Sequence, residues 1–192
     1  ERVNATLNPI YLKGNTITLR KQAEKPITIT DMINQKTISI TAASLIWLGI
    51  EYELSTLITG GTATGKTSFL NAVCSFFQPN QRIISAEDTA ELKLPKYLHW
   101  IPMLTRLPNV EGKGEVTLLD LIINSLRMRP DRIVVGEIRR QREAETLFEA
   151  MHTGHSVYAT LHANDVEETI NRITNPPINV PKSLLPAISM IV

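Results

Sequence analysis

The 192-residue chain has a single cysteine, Cys74. That excludes a disulfide framework and any zinc cluster built on several thiolates, and it fits a reducing compartment. An excess of one charge sign is also lacking: 20 Lys and Arg stand against 19 Asp and Glu, a formal net charge of +1. No overall basic surface argues for nucleic acid or anionic lipid as a partner. No apolar run approaches the ~18–20 residues that cross a bilayer, so direct membrane insertion is not expected. No signal-peptide pattern follows Glu1, and there is no internal repeat or low-complexity tract. The final "AISMIV" is an odd apolar end, and the chain reads as a piece of a longer protein. What remains is ordinary for a soluble globular protein: 43% hydrophobic and 20% charged residues. The length suffices for one domain with a full core and part of a second.

Organisation follows from local patterns. "PIYLKGNTITLR" (9–20) reads as two short strands around a Lys13-Gly14-Asn15 turn, and 21–29, polar around Pro26, as a linker. Thr30 and Thr41 are placed to cap two helices. Beyond them strands at 54–59, 82–86, 132–136 and 156–161 alternate with helices at 65–77, 117–129, 142–152 and 165–173. The helix over 117–129 is apolar nearly all round and is expected to be well buried. Strands alternating with helices predict an α/β fold with a mostly parallel sheet covered on both faces.

"GGTATGKTSF" matches G-x-x-x-x-G-K-S/T in full through Gly60, Gly65, Lys66 and Thr67, between a predicted strand and a predicted helix. The glycines let the backbone wrap a phosphate with its N–H groups inward, and the helix adds its positive end. Lys66 would reach the β- and γ-phosphates, and the Thr67 hydroxyl a magnesium ion. Gly61, Thr62, Ala63, Thr64 and Ser68 complete the cradle. The plain alternative is a Gly/Thr-rich turn with an exposed lysine.

Water-splitting NTPases also need a carboxylate near the γ-phosphate. Gly136 occupies the end of the "RIVV" strand, where many proteins of this loop class place an aspartate, and Glu137 follows it. Glu87 and Asp88 directly follow another strand, at the strand end where parallel sheets bind ligands. The plain alternatives are a solvated turn for Glu87-Asp88 and a surface ion pair with Arg139 or Arg140 for Glu137. His155 and His162 flank a strand of ~20 Å, too long for one metal to bridge. His162, at the C-terminal end, is placed to sense a phosphate; a structural role is the plain reading of each. Arg127 and Arg129 end a helix, where they suit its negative pole or a neighbouring subunit's γ-phosphate.

Four stretches in order, "GGTATGKT", "AEDTAELKLP", "LRMRPDRIVVGEIR" and "TGHSVYATLHAND", resemble the Walker A, Asp, Walker B and His boxes of the type II/type IV secretion ATPase superfamily. "EDTAELKLP" and "GEIRRQREAETLFEAM" look most like its archaeal branch, the motors of pili, archaella or secretion systems. The resemblance implies a RecA-like P-loop core at 51–192, linker and entering helices at 22–50, and at 1–21 the end of a smaller α+β N-terminal domain. It implies ATP and Mg²⁺ at Gly60 to Ser68, Glu87 as the water-activating base, and Glu137 reaching magnesium through water. His155 and His162 match the His box; His152 matches nothing. It further implies a hexameric homo-oligomer on the cytoplasmic face of a membrane, working on an integral membrane platform protein, with 21–29 as hinge. Arginines supplied by a neighbouring subunit would be Arg20 and Arg127. The rivals are a nucleic-acid-translocating ATPase, against which the +1 charge counts, and an ATP-sensing scaffold that hydrolyses nothing.

Overall fold

The computed structural model describes residues 2–21 and 25–192. The chain opens with an antiparallel pair, β1 (Arg2–Thr6) and β2 (Thr16–Arg20). The expected first strand at 9–12 is instead part of the connecting loop, where Asn15 Oδ1 accepts from the Asn8 amide (2.9 Å). Val3 stands opposite Leu19 and Ala5 opposite Ile17, so one face of the pair is apolar.

Two helices lead into the main sheet. Helix α1 (Ile29–Asn34) is capped by Thr28, not Thr30: Thr28 and Asp31 exchange side-chain and backbone hydrogen bonds in a capping box. Helix α2 (Ile40–Glu51) is capped by Ser39 rather than Thr41. The rest alternates: β3 (Thr56–Gly60), α3 (Lys66–Cys74), β4 (Arg82–Glu87), β5 (His99–Leu104), α4 (Leu118–Arg127), β6 (Arg132–Val135), α5 (Gln141–His152), β7 (Ser156–His162), α6 (Val166–Thr174), a 3₁₀ turn at Lys182–Ala187, and β8 (Met190–Ile191). The six-stranded sheet runs β5-β4-β6-β7-β3-β8 with every pair parallel. This is the mostly parallel α/β sheet that the alternation predicts, extended by two strands, β5 and β8, that the pattern does not show.

Successive strand residues face opposite sides. Leu57, Ile133, Val135, Val157 and Ala159 pack with α4, α5 and Ile173 of α6; Ile58, Val134 and Tyr158 pack with α1, α2 and α3. Strands β6 and β7 are therefore buried on both faces over nearly their whole length. Helix α4 is two-faced rather than buried all round. Leu118, Leu121, Ile122 and Ser125 point inward, while Ile123 and Asn124 are exposed.

Because the strands are parallel, Gly60, Glu87, Val135 and His162 all end on one edge of the sheet. That edge is where open α/β sheets bind ligands.

Candidate functional site

A cleft of about 890 Å³ opens at this edge. Its floor is the loop between β3 and α3. Gly60 (φ +159°) turns the chain out of β3, and a Cβ there would lie 2.5 Å from Thr64 Oγ1. Gly65 (φ +95°) sits in the left-handed region at the start of α3, and Ala63 (φ 61°) shares it. Lys66, the first residue of α3, folds back over the loop. Its Nζ donates to the carbonyls of Gly60 (2.8 Å) and Gly61 (2.6 Å). Thr64 Oγ1 also donates to Gly61 O (3.0 Å). A half-buried ammonium is thus held in the concavity of the loop, whose stretch from Thr62 to Gly65 is exposed. Thr67 and Ser68 line the cleft beside it.

The acids stand on the next strands. Glu87 ends β4 and is 3% exposed. Its Oε1 accepts from the amides of Glu91 (3.0 Å) and Leu92 (3.1 Å). Burial pushes its carboxyl above the ordinary glutamate range, and those two hydrogen bonds oppose the shift. Gly136 lies beside it, just past the end of β6. A Cβ there would meet Glu87 Cγ at 3.5 Å, ordinary contact, and Thr160 Oγ1 donates to the Gly136 carbonyl. Glu137 Oε2 accepts from Nη2 (2.7 Å) and Nε (3.0 Å) of Arg139, whose Nη1 donates to Asp88 Oδ2 (2.8 Å). The hydrogen bonds it donates to Glu137, then burial in the opposite sense, then the surrounding carboxylates leave the Arg139 guanidinium held above its usual value. At the end of β7, His162 Nε2 and Thr62 Oγ1 are 2.9 Å apart and tie the loop to the sheet.

The family profile "Type II/IV secretion system protein" matches residues 2–191. This chain belongs to that family. An uncharacterized protein of Methanocaldococcus jannaschii, MJ0900, is 44% identical over 173 residues, 90% of this chain and 31% of that protein. Among solved structures, the Legionella pneumophila ATPase DotB superposes with a TM-score of 0.67 at 25% identity, over 96% of this chain and 48% of that one. The pilus retraction motor PilT, solved with bound ADP, gives 0.65 at 24% identity, over 94% and 52%. The chain thus spans about a third of MJ0900 and about half of each of those structures.

Within this secretion-family fold, Lys66, Thr67, Glu87, Glu137, His162 and Arg20 all line the one cleft. Arg20 reaches it from β2 and pairs with Glu91 at 3.5 Å. Arg127 does not line it: it ends α4, leading into the N-terminal edge of β6, opposite the cleft. His155 also sits at that far edge, its Nδ1 3.3 Å from Ala150 O, and His152 is exposed on the last turn of α5. Glu137 combines both readings of its sequence, since it is ion-paired and faces the cleft. Asn71 and Thr160 also line the cleft and carry no local signal in the sequence. Arg139 does carry one, an arginine two residues beyond Glu137, and its pairing with that acid faces the cleft rather than open surface.

Proposed function

We propose that this chain is the catalytic core of an ATP-hydrolysing motor of a secretion or type IV pilus-like machine. The observation that carries the reading is Lys66: its ammonium is poised on two loop carbonyls in a cleft that also holds Thr67, Glu87 and Glu137. ATP's phosphates are the charge such a loop and ammonium suit. The donors beside it, the Thr67 hydroxyl and the Glu137 carboxylate, are hard oxygens that fit magnesium, which takes few protein ligands and shares phosphate oxygens. Magnesium, when bound, would neutralise charge on the β- and γ-phosphates.

The chain's own residues do the rest. Lys66 leaves the carbonyls of Gly60 and Gly61 for phosphate oxygens. Glu87 keeps Oε1 on the backbone, while its Oε2, which makes no hydrogen bond among the described residues, is available to orient or deprotonate a water. His162 reports on the loop through Thr62. The working unit in this reading is a homo-oligomeric ring, hexameric as the resemblance implies, at the cytoplasmic face of a membrane and acting on an integral membrane platform. Residues 51–192 form the core and 1–21 the end of an N-terminal domain. The hinge is placed at 21–29, of which 22–24 lie outside the described residues.

Phosphate release by the purified chain is the direct test. Lys66→Ala should abolish turnover and weaken binding of a fluorescent ATP analogue. Undiminished turnover in that variant would sink the reading. Tight nucleotide binding with no phosphate release from any assembled form would favour the scaffold instead.

A further inference from the structure

Arg139 is the cation that joins the two acid-bearing strand ends. Its guanidinium grips one oxygen of Glu137 with two donors (2.7 and 3.0 Å) and reaches Asp88 with a third (2.8 Å). Among the described residues the other oxygen of Glu137, Oε1, makes no hydrogen bond. The backbone around Glu137 is fixed by other contacts. Gly136 N donates to Ala86 O (3.0 Å), Ile138 N to Thr160 O (3.0 Å), and the amides of Arg139 and Arg140 to Glu143 Oε2 (3.2 and 3.1 Å). The turn therefore does not need the Arg139 side chain, whereas the aim of the Glu137 carboxylate does.

We propose that Arg139 is a positioning residue for Glu137: anchored on Asp88, it holds Oε2 and presents Oε1 to the magnesium shell of a bound nucleotide. Carboxylates that serve a metal are commonly hydrogen-bonded by a partner behind them, which fixes their orientation. A guanidinium suits the place because its planar fork engages two carboxylates at once. Asp88, one residue beyond the end of β4, thereby ties the Glu137 carboxylate to that strand end. The inference rests on the ATP reading above.

The test measures the dissociation constant of N-methylanthraniloyl-ATP with magnesium and with EDTA, and takes the ratio of the EDTA value to the magnesium value. Arg139→Gln should lower this ratio by about tenfold, the usual scale for losing a partner that orients a metal-serving ligand. Arg139→Lys, which keeps the charge without the fork, should lower it less. Asp88→Asn, which frees the far end of Arg139, should also lower it. In a Glu137→Gln background, Arg139→Gln should leave the ratio unchanged, because the carboxylate to be aimed is gone. A purely structural role would weaken binding equally in both solutions and hold the ratio constant. A purely electrostatic role would raise it, since removing a cation penalises metal-free ATP more than its magnesium complex. Either result would overturn the proposal, as would an equal fall in the Glu137→Gln background. Should Arg139→Gln melt early, Arg139→Lys and Asp88→Asn carry the same comparison. Failure of the unsubstituted chain to bind the labelled nucleotide would overturn the ATP reading itself; normal binding with an unmoved ratio would overturn Arg139's role alone.

Discussion

Glu87 is the residue whose chemistry and stability pull in opposite directions. Burial disfavours its charged form, so the native chain keeps the proton to higher pH than the unfolded chain does. Its contribution to stability is therefore full below the ordinary carboxylate range and is lost as pH rises through the raised native value. Glu87→Gln cannot ionise, yet it keeps an oxygen for the amides of Glu91 and Leu92. The difference in melting temperature, variant minus parent, should be small near about pH 4 and grow positive toward about pH 7. A flat or negative trend would mean that the two amides outweigh burial. The same substitution should slow hydrolysis by ~10²–10⁴-fold while ATP still binds. Two glycines make a second contrast at this scale. Gly65 holds φ +95°, so Gly65→Ala should cost about 1–2 kcal/mol by denaturant titration and loosen nucleotide binding. Gly136 is not in the left-handed region and has ordinary contact space, so Gly136→Ala should stay within about 1 kcal/mol of the parent.

Among the elements, the segment 88–94 behaves as a strap across the cleft. Glu87 holds its backbone from below, Asn71 of α3 donates to Glu91 O (3.2 Å) and accepts from Lys93 N (2.8 Å), and Leu92 and Leu94 are buried. Leu92→Ala should cost about 2–5 kcal/mol in urea unfolding and weaken nucleotide binding through the displaced strap. An unchanged unfolding midpoint would show that the strap is not packed as described. The strap was not legible in the sequence because its buried leucines sit in an irregular run with neither helical nor strand period. By contrast β4, β6 and β7 were legible as short apolar runs, and the Lys66 loop was legible because its spacing is entirely local. Strand β5 escaped notice for a physical reason. It is an edge strand whose exposure is mixed, and it carries Pro102, which an edge tolerates because its missing N–H costs no ladder bond on the open side. The Arg139–Asp88 contact spans 51 residues and exists only because β4 and β6 are neighbours in the sheet. Strand order is the information a linear pattern does not hold.

For the whole molecule, the question is whether one chain completes its own site. Arg20 and Arg127 were both expected to act on a neighbour's nucleotide, but the fold separates them. Arg20 lines the cleft of its own chain and pairs with Glu91 there. Arg127 is exposed at the opposite edge of the sheet and makes no ion pair among the described residues. In a head-to-tail ring, one subunit's far edge is free to meet the next subunit's cleft, whereas a residue already on the cleft wall has no need to. An arginine delivered in trans raises phosphoryl-transfer rates by large factors, so chains that rely on one should be poor catalysts when dilute. Activity per chain should accordingly rise with concentration. Mixing then tells the two arginines apart. Lys66→Ala lacks the cradle but carries Arg127; Arg127→Ala carries the cradle but lacks the donor. In equal mixtures about a quarter of head-to-tail interfaces pair an intact cradle with an intact Arg127, so phosphate release should partly return. Lys66→Ala mixed with Arg20→Ala should recover nothing, because the cradle and Arg20 belong to the same cleft and every chain is missing one of them. Recovery with Arg20→Ala and none with Arg127→Ala would reverse the assignment. Constant activity on dilution, with no recovery in either mixture, would mean that each chain hydrolyses ATP alone.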